Sequence, residues 1–264
     1  MYFFALKRGV YFLKIAVSGK GGAGKSTVSA QLVRCFTLNK MPVFAVDADP
    51  DANLGLVLGL DPDKLDKLRP LIELQDVIEE KNAGGGTLVD LNPDVDDVLD
   101  NYTLQEGLLR FLKMGALKQG GSACYCKENS FLNAVLTTML LDRPEAVVLD
   151  MSAGIEHLTR GTARGVGVML VIVEPTRAGV STAKAVDRLC LDLEINQVYF
   201  IGNKIRNQED RNYLETSLPA ERFAGMIPFS DKILERARRG EPVVSNLEDL
   251  LPGIETIYKM ACGR

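Results

Sequence analysis

Residues 18–27 read Ser-Gly-Lys-Gly-Gly-Ala-Gly-Lys-Ser-Thr, and this stretch constrains the fold of the chain more than any other. The apolar run at 14–18 suits a buried strand, and residues 28–38 carry apolar side chains at helical spacing among good helix formers. A glycine-rich loop between a strand and a helix is a phosphate cradle. The segment Gly21, Gly22, Ala23 and Gly24 lets backbone N–H groups close around phosphates, and Lys25 neutralises the outer ones. The Ser26 hydroxyl is placed to ligate Mg2+, and Thr27 closes the motif. The expected ligand is a nucleotide, and the expected chemistry is its hydrolysis.

Further apolar runs at 43–46, 146–150, 168–173, 198–201 and 224–227 alternate with helical stretches. That order predicts an α/β fold: a mostly parallel sheet with helices on both faces and the ligand at the carboxyl ends of the strands. At 264 residues, 46% hydrophobic and 25% charged, the chain suits one domain over 14–264. Residues 1–13 form a tail or mark an early start, because their apolar stretch lacks the charge order and cleavage site of a signal peptide. The segment 61–128, rich in Asp, Gly and Pro, reads as an insertion with helices at about 65–80 and 104–112. No apolar run reaches the ~20 residues of a membrane span. A cytoplasmic protein with five reduced cysteines is expected. The net charge of -4 argues against coating nucleic acid, with Arg236, Arg238 and Arg239 read as a solvated helix face.

Lys20 sits too far around the loop to repeat the role of Lys25, yet is long enough to reach a nucleotide held by a facing subunit. The pattern K-G-G-x-G-K-[ST] resembles the deviant phosphate loop (SIMIBI class) of dimerising ATPases such as nitrogenase iron protein and the Min and Par ATPases. The resemblance implies ATP as substrate, a homodimer, and a catalytic Lys20 that acts across the interface beside Lys25. Two aspartates, Asp47 and Asp49, follow at spacing two where the second strand gives way to a loop. A carboxylate there either holds the attacking water or faces the metal. The family's D-x-D-P segment implies Asp49 as the water-orienting base and Asp47 as a partner of the Mg2+ hydration shell, with reversed roles open. Asp51 reads as solvated. Asp150 ends a Walker B strand near Mg2+, and Gly154 is the hinge of a second switch whose N–H senses the outer phosphate. By the same resemblance Asn203 hydrogen-bonds the adenine base, and the loop at Pro228 forms the other wall of its pocket.

Cys124-Tyr125-Cys126 in a glycine-flanked segment offers two of the four soft ligands of a closed thiolate site. Two copies meeting across a dyad would supply four. The single histidine, His157, reads as a switch relay or a surface group rather than a ligand, and Cys35 and Cys190 read as small hydrophobes in helices. Cys262 falls near a frayed end. The Cys-Tyr-Cys segment, with Ala-Gly-Ile-Glu-His-Leu-Thr-Arg at 153–160 and Asp-Ala-Asp-Pro-Asp at 47–51, resembles the CooC-type accessory ATPases over nearly the whole chain. That resemblance implies an ATP- and metal-promoted homodimer binding Ni2+, or Zn2+ at the same site, through Cys124 and Cys126. It implies apo carbon monoxide dehydrogenase as client, with neither nucleic acid nor membrane as partner. Rival readings are a relative serving acetyl-CoA synthase, an iron-sulfur carrier, and a Min- or Par-type positioning ATPase. The carrier is disfavoured because residues 152–154 hold no cysteine, and the positioning ATPase because no basic amphipathic tail is evident.

Overall fold

A computed structural model describes residues 14–81, 94–115, 125–155, 157–244 and 249–262. The chain begins with strand β1 (Lys14–Gly19), helix α1 (Lys25–Leu38) and strand β2 (Val43–Ala48). Short helices α2 (Leu54–Leu58), α3 (Pro62–Lys67), α4 (Gln75–Lys81) and α5 (Asp96–Asn101) lead into the hairpin β3 (Leu104–Glu106) and β4 (Leu109–Lys113). Helix α6 (Tyr125–Thr137) ends in a π-helical turn (Thr138–Asp142) and is followed by β5 (Ala146–Met151), α7 (Arg160–Ala163) and β6 (Val168–Val173). The rest is α8 (Arg177–Asp192), β7 (Val198–Ile205), α9 (Gln208–Ser217), β8 (Phe223–Pro228), α10 (Asp231–Arg239) and α11 (Ile254–Ala261).

The eight strands form one sheet in the order β3-β4-β2-β5-β1-β6-β7-β8, parallel except for the β3–β4 pair. This is the expected α/β sheet, with the five predicted later strands all present. Its central strands β1, β2, β5 and β6 are buried along their full length, which is why they read as continuous apolar runs. Side chains alternate between two cores: Phe44, Val147, Leu149 and Val171 pack on one face, and Ile15, Ala45, Val148 and Leu170 on the other. The chain leaves β1 toward β2 and leaves β5 toward β6, in opposite directions across the sheet. The strand ends beside that reversal form the crevice where α/β sheets bind ligands.

Two expectations in the 61–128 segment are corrected. Residues 104–112 form a hairpin, not a helix; the turn passes through Gly107 at φ 58°, and β4 pairs in parallel with β2 from Val43↔Leu109 to Asp47↔Lys113. The stretch at 65–80 is not one helix, because Pro70 has no N–H to donate and disfavours helix in the residue before it. The chain breaks there into α3, a 3-10 turn (Leu71–Glu73) and α4. Among the described residues, no helix is long and apolar enough to cross a membrane.

Candidate functional site

The phosphate loop runs from the end of β1 to the start of α1. Gly24, at φ 97°, precedes the first turn of the helix, and a Cβ there would collide with the Asn203 amide. Lys25 is buried, and its Nζ lies 3.0 Å from Asp49 Oδ2. The carboxylate expected to orient water therefore already shares space with the lysine expected to hold phosphate. Asp51 is exposed, as expected, with its N–H donating to Asp49 Oδ1 at 3.1 Å.

Asp47 and Asp150 are register partners on the adjacent strands β2 and β5, so their side chains leave the sheet side by side. Both are buried. Asp47 Oδ2 accepts the Leu54 N–H at 2.9 Å, and Asp150 Oδ1 accepts the Ser29 hydroxyl at 3.1 Å, with the Ser26 hydroxyl also facing Asp150. The second oxygen of each, Asp47 Oδ1 and Asp150 Oδ2, is buried without a hydrogen-bond partner. Burial, then the neighbouring Asp150, pushes the Asp47 carboxyl up to about 7; burial pushes Asp150 up to about 6 against the pull of the Ser26 and Ser29 hydroxyls and Lys25. Two orphaned anionic oxygens beside a phosphate loop fit a Mg2+ with its water shell. That ion keeps several waters and takes few protein ligands besides phosphate oxygens. In keeping with this, no group of three or more His, Cys, Asp or Glu converges on a metal-sized site among the described residues.

The switch segment follows β5. Ser18 Oγ in β1 donates to the Ser152 carbonyl at 2.8 Å, tying the foot of the phosphate loop to that segment. Gly154 precedes Ile155, which is buried at φ 48°. A β-branched residue at positive φ is strained, and such strain collects in switch regions. His157 is only 5% exposed, which overturns its reading as a surface group. Arg236 also departs from a solvated face: its Nη2 is 2.8 Å from Asp249 Oδ1. Cys35 and Cys190 are buried in helices, and burial pushes both thiols up to about 12, so they behave as the inert hydrophobes expected. Cys124 lies outside the described residues, and of Cys126 only its place in the first turn of α6 is described.

Across the loop from these carboxylates lies a cavity of about 200 Å3, bounded by Gly24, Thr27, Asn203, Pro228, Phe229 and Leu234. The structure thus brings together the two residues expected around the base. Asn203 is buried, and its Nδ2 donates to the Ala23 carbonyl at 2.7 Å. Its remaining Oδ1 is an acceptor, suited to an exocyclic amino group such as that of adenine. Sequence reasoning missed Phe229, Leu234 and Lys204 here. The neighbours of Asn203 and Pro228 were the available signal for Lys204 and Phe229; Leu234 on α10 had none.

Residues 14–243 match the family described as CobQ/CobB/MinD/ParA nucleotide binding domain. The chain is 35% identical over 238 residues to an uncharacterised ATP-binding protein of Methanocaldococcus jannaschii, covering 88% of this chain and 91% of that protein. It is 35% identical over 224 residues to the carbon monoxide dehydrogenase accessory protein CooC of Rhodospirillum rubrum, covering 84% of this chain and 85% of that one. Among solved structures, the MinD cell division protein of Aquifex aeolicus superposes with a TM-score of 0.63 at 20% identity, covering 94% of this chain and 95% of its own. A ParA family ATPase from Chlorobium tepidum gives 0.63 at 17% identity, covering 94% and 98%. These last two likenesses establish the fold.

Proposed function

Because the chain belongs to the CobQ/CobB/MinD/ParA nucleotide-binding family, and within it to the CooC-type accessory ATPases, we propose that this ATPase delivers nickel to apo carbon monoxide dehydrogenase. The observation that carries the reading is the convergence of Lys25, Asp49, Asp47 and Asp150 on one loop, in a chain 35% identical to a carbon monoxide dehydrogenase accessory protein. Lys25 and the loop N–H groups hold the phosphates, and Ser26 with the buried pair Asp47 and Asp150 holds Mg2+ and its waters. When bound, that ion withdraws charge from the phosphate oxygens. Phosphate oxygens draw Lys25 from Asp49, whose freed carboxylate orients the attacking water. Lys20 reaches the nucleotide of a second copy, so the competent ATPase is a homodimer. Closure of that dimer brings two Cys124–Cys126 pairs together as a four-thiolate site for Ni2+, and hydrolysis reopens it to release the metal. Zn2+ competes for the same sulfurs, since thiolate affinity does not by itself select nickel.

The test is anaerobic activation of apo carbon monoxide dehydrogenase by purified protein with MgATP and nickel, run beside apo acetyl-CoA synthase. Activation of the dehydrogenase, lost with Cys124→Ala, is expected. Activation of the synthase alone would change the client, and a protein that binds no nickel would overturn the cargo.

A further inference from the structure

Lys204 follows the base-facing Asn203 near the end of β7, where pairing with β8 slips between Gly202 and Ile205 and Lys204 itself takes φ 60°. Lysine rarely occupies positive φ, and strand irregularities beside binding sites serve to re-aim side chains. On a regular strand two successive side chains would point to opposite faces. Here both reach the phosphate loop. Asn203 bonds the Ala23 carbonyl, while Lys204 Nζ donates to the Gly22 carbonyl at 2.6 Å and to Glu174 Oε1 at 2.5 Å. Glu174 directly follows β6, so three strand ends are joined through one ammonium. Lys204 also borders the 200 Å3 cavity shared by Asn203 and Pro228.

We propose that Lys204 is a nucleotide-positioning residue. Glu174 anchors its ammonium, the ammonium fixes the Gly22 carbonyl, and the loop thereby keeps the curvature that aims its N–H groups at the phosphates. The same side chain closes one side of the base cavity, so base and phosphate subsites are set by one group. Asn203 and Lys204 grip adjacent carbonyls, which explains why β7 is distorted at this point and not elsewhere. The inference deepens the ATPase reading and rests on it.

The experiment is calorimetric titration of MgATP analogue into wild type, Lys204→Met, Lys204→Arg, Glu174→Gln and the Glu174→Gln/Lys204→Met double variant, with steady-state hydrolysis and melting curves. Methionine keeps a long stem and removes the charge. Its dissociation constant and KM are expected to rise about five- to twentyfold, the range for losing a charged hydrogen bond at a half-exposed site. Its kcat at saturating ATP and its melting temperature should stay near wild type. Arginine should recover most of the affinity. The double variant should bind no more weakly than Lys204→Met, because both changes break one bridge. Equal affinity in wild type and Lys204→Met would overturn the assignment, as would additive losses in the double variant. A wild-type chain that binds no MgATP analogue would instead overturn the ATPase reading beneath it.

Discussion

Asp47 shows how one residue can be placed against its own stability. Its register partner Asp150 lies beside it in the interior, and burial together with that neighbour raises its pKa to about 7. A carboxyl with a raised folded-state pKa stabilises the fold fully only below its unfolded value, about 4, and that contribution is lost as pH rises through the folded value. Stability should therefore fall between about pH 4 and pH 7 as the folded chain is forced to ionise the pair. Asp47→Asn removes one charge, and its amide can donate toward Asp150. It should raise stability at pH 8 by on the order of 2 kcal/mol, with the gain vanishing near pH 4. ATP hydrolysis by the variant should drop tenfold or more, roughly. Urea titrations at the two pH values check the first part, and a variant no more stable than wild type at pH 8 would refute it. Asn203 makes a second residue-level case. With Nδ2 committed to the Ala23 carbonyl, only its acceptor oxygen is left for a base. Asn203→Ala should weaken ATP binding roughly tenfold and narrow the preference for ATP over GTP, as read by competition with a fluorescent nucleotide.

At the scale of elements, the buried central strands were legible because strands covered on both faces are continuously apolar. The phosphate loop was legible because its glycines, lysine and hydroxyl occur at fixed offsets. The β3–β4 hairpin was not. Leu104, Leu108, Leu109 and Leu112 fall at spacings that a helix would also use, and what decides the matter is the free edge of β2, which periodicity cannot show. Nor was the role of Lys14 legible, since it reads as the charged first residue of a strand. The residue is 1% exposed, and its Nζ donates to the carbonyls of Met139, Arg143 and Glu145 at 2.6, 2.8 and 2.7 Å. Those carbonyls belong to the π-helical turn and the loop into β5, so one ammonium joins β1 to the far end of α6. Burial lowers its pKa to about 8, partly offset by Glu145. Lys14→Met would strand three acceptors and should cost about 2–4 kcal/mol, visible as an earlier urea midpoint. An unchanged midpoint would mean that the turn repacks without it.

On the scale of the whole molecule, the site is assembled from residues between Ser18 and Pro228 that meet only because parallel strands end at one edge. Lys20 and the Cys-Tyr-Cys segment are both expected to work across a dyad, yet they serve different partners: one a nucleotide, the other a metal. The two functions should therefore separate by mutation. Lys20→Ala leaves Lys25, Asp49 and the base cavity intact, so MgATP binding should stay within about threefold of wild type. Hydrolysis should fall at least tenfold or so, because charge supplied from a partner subunit to transferring phosphate is worth several kcal/mol. Cys124→Ala should do the converse, keeping ATP-dependent dimerisation while losing stoichiometric nickel. Sedimentation of each variant with and without MgATP, alongside metal analysis of the same samples, reads both outcomes. If Cys124→Ala also lost dimerisation with ATP, the metal would be the clamp that holds the subunits together. If Lys20→Ala hydrolysed ATP at the wild-type rate, the deviant lysine would have no part in the reaction and the dimer would need another cause.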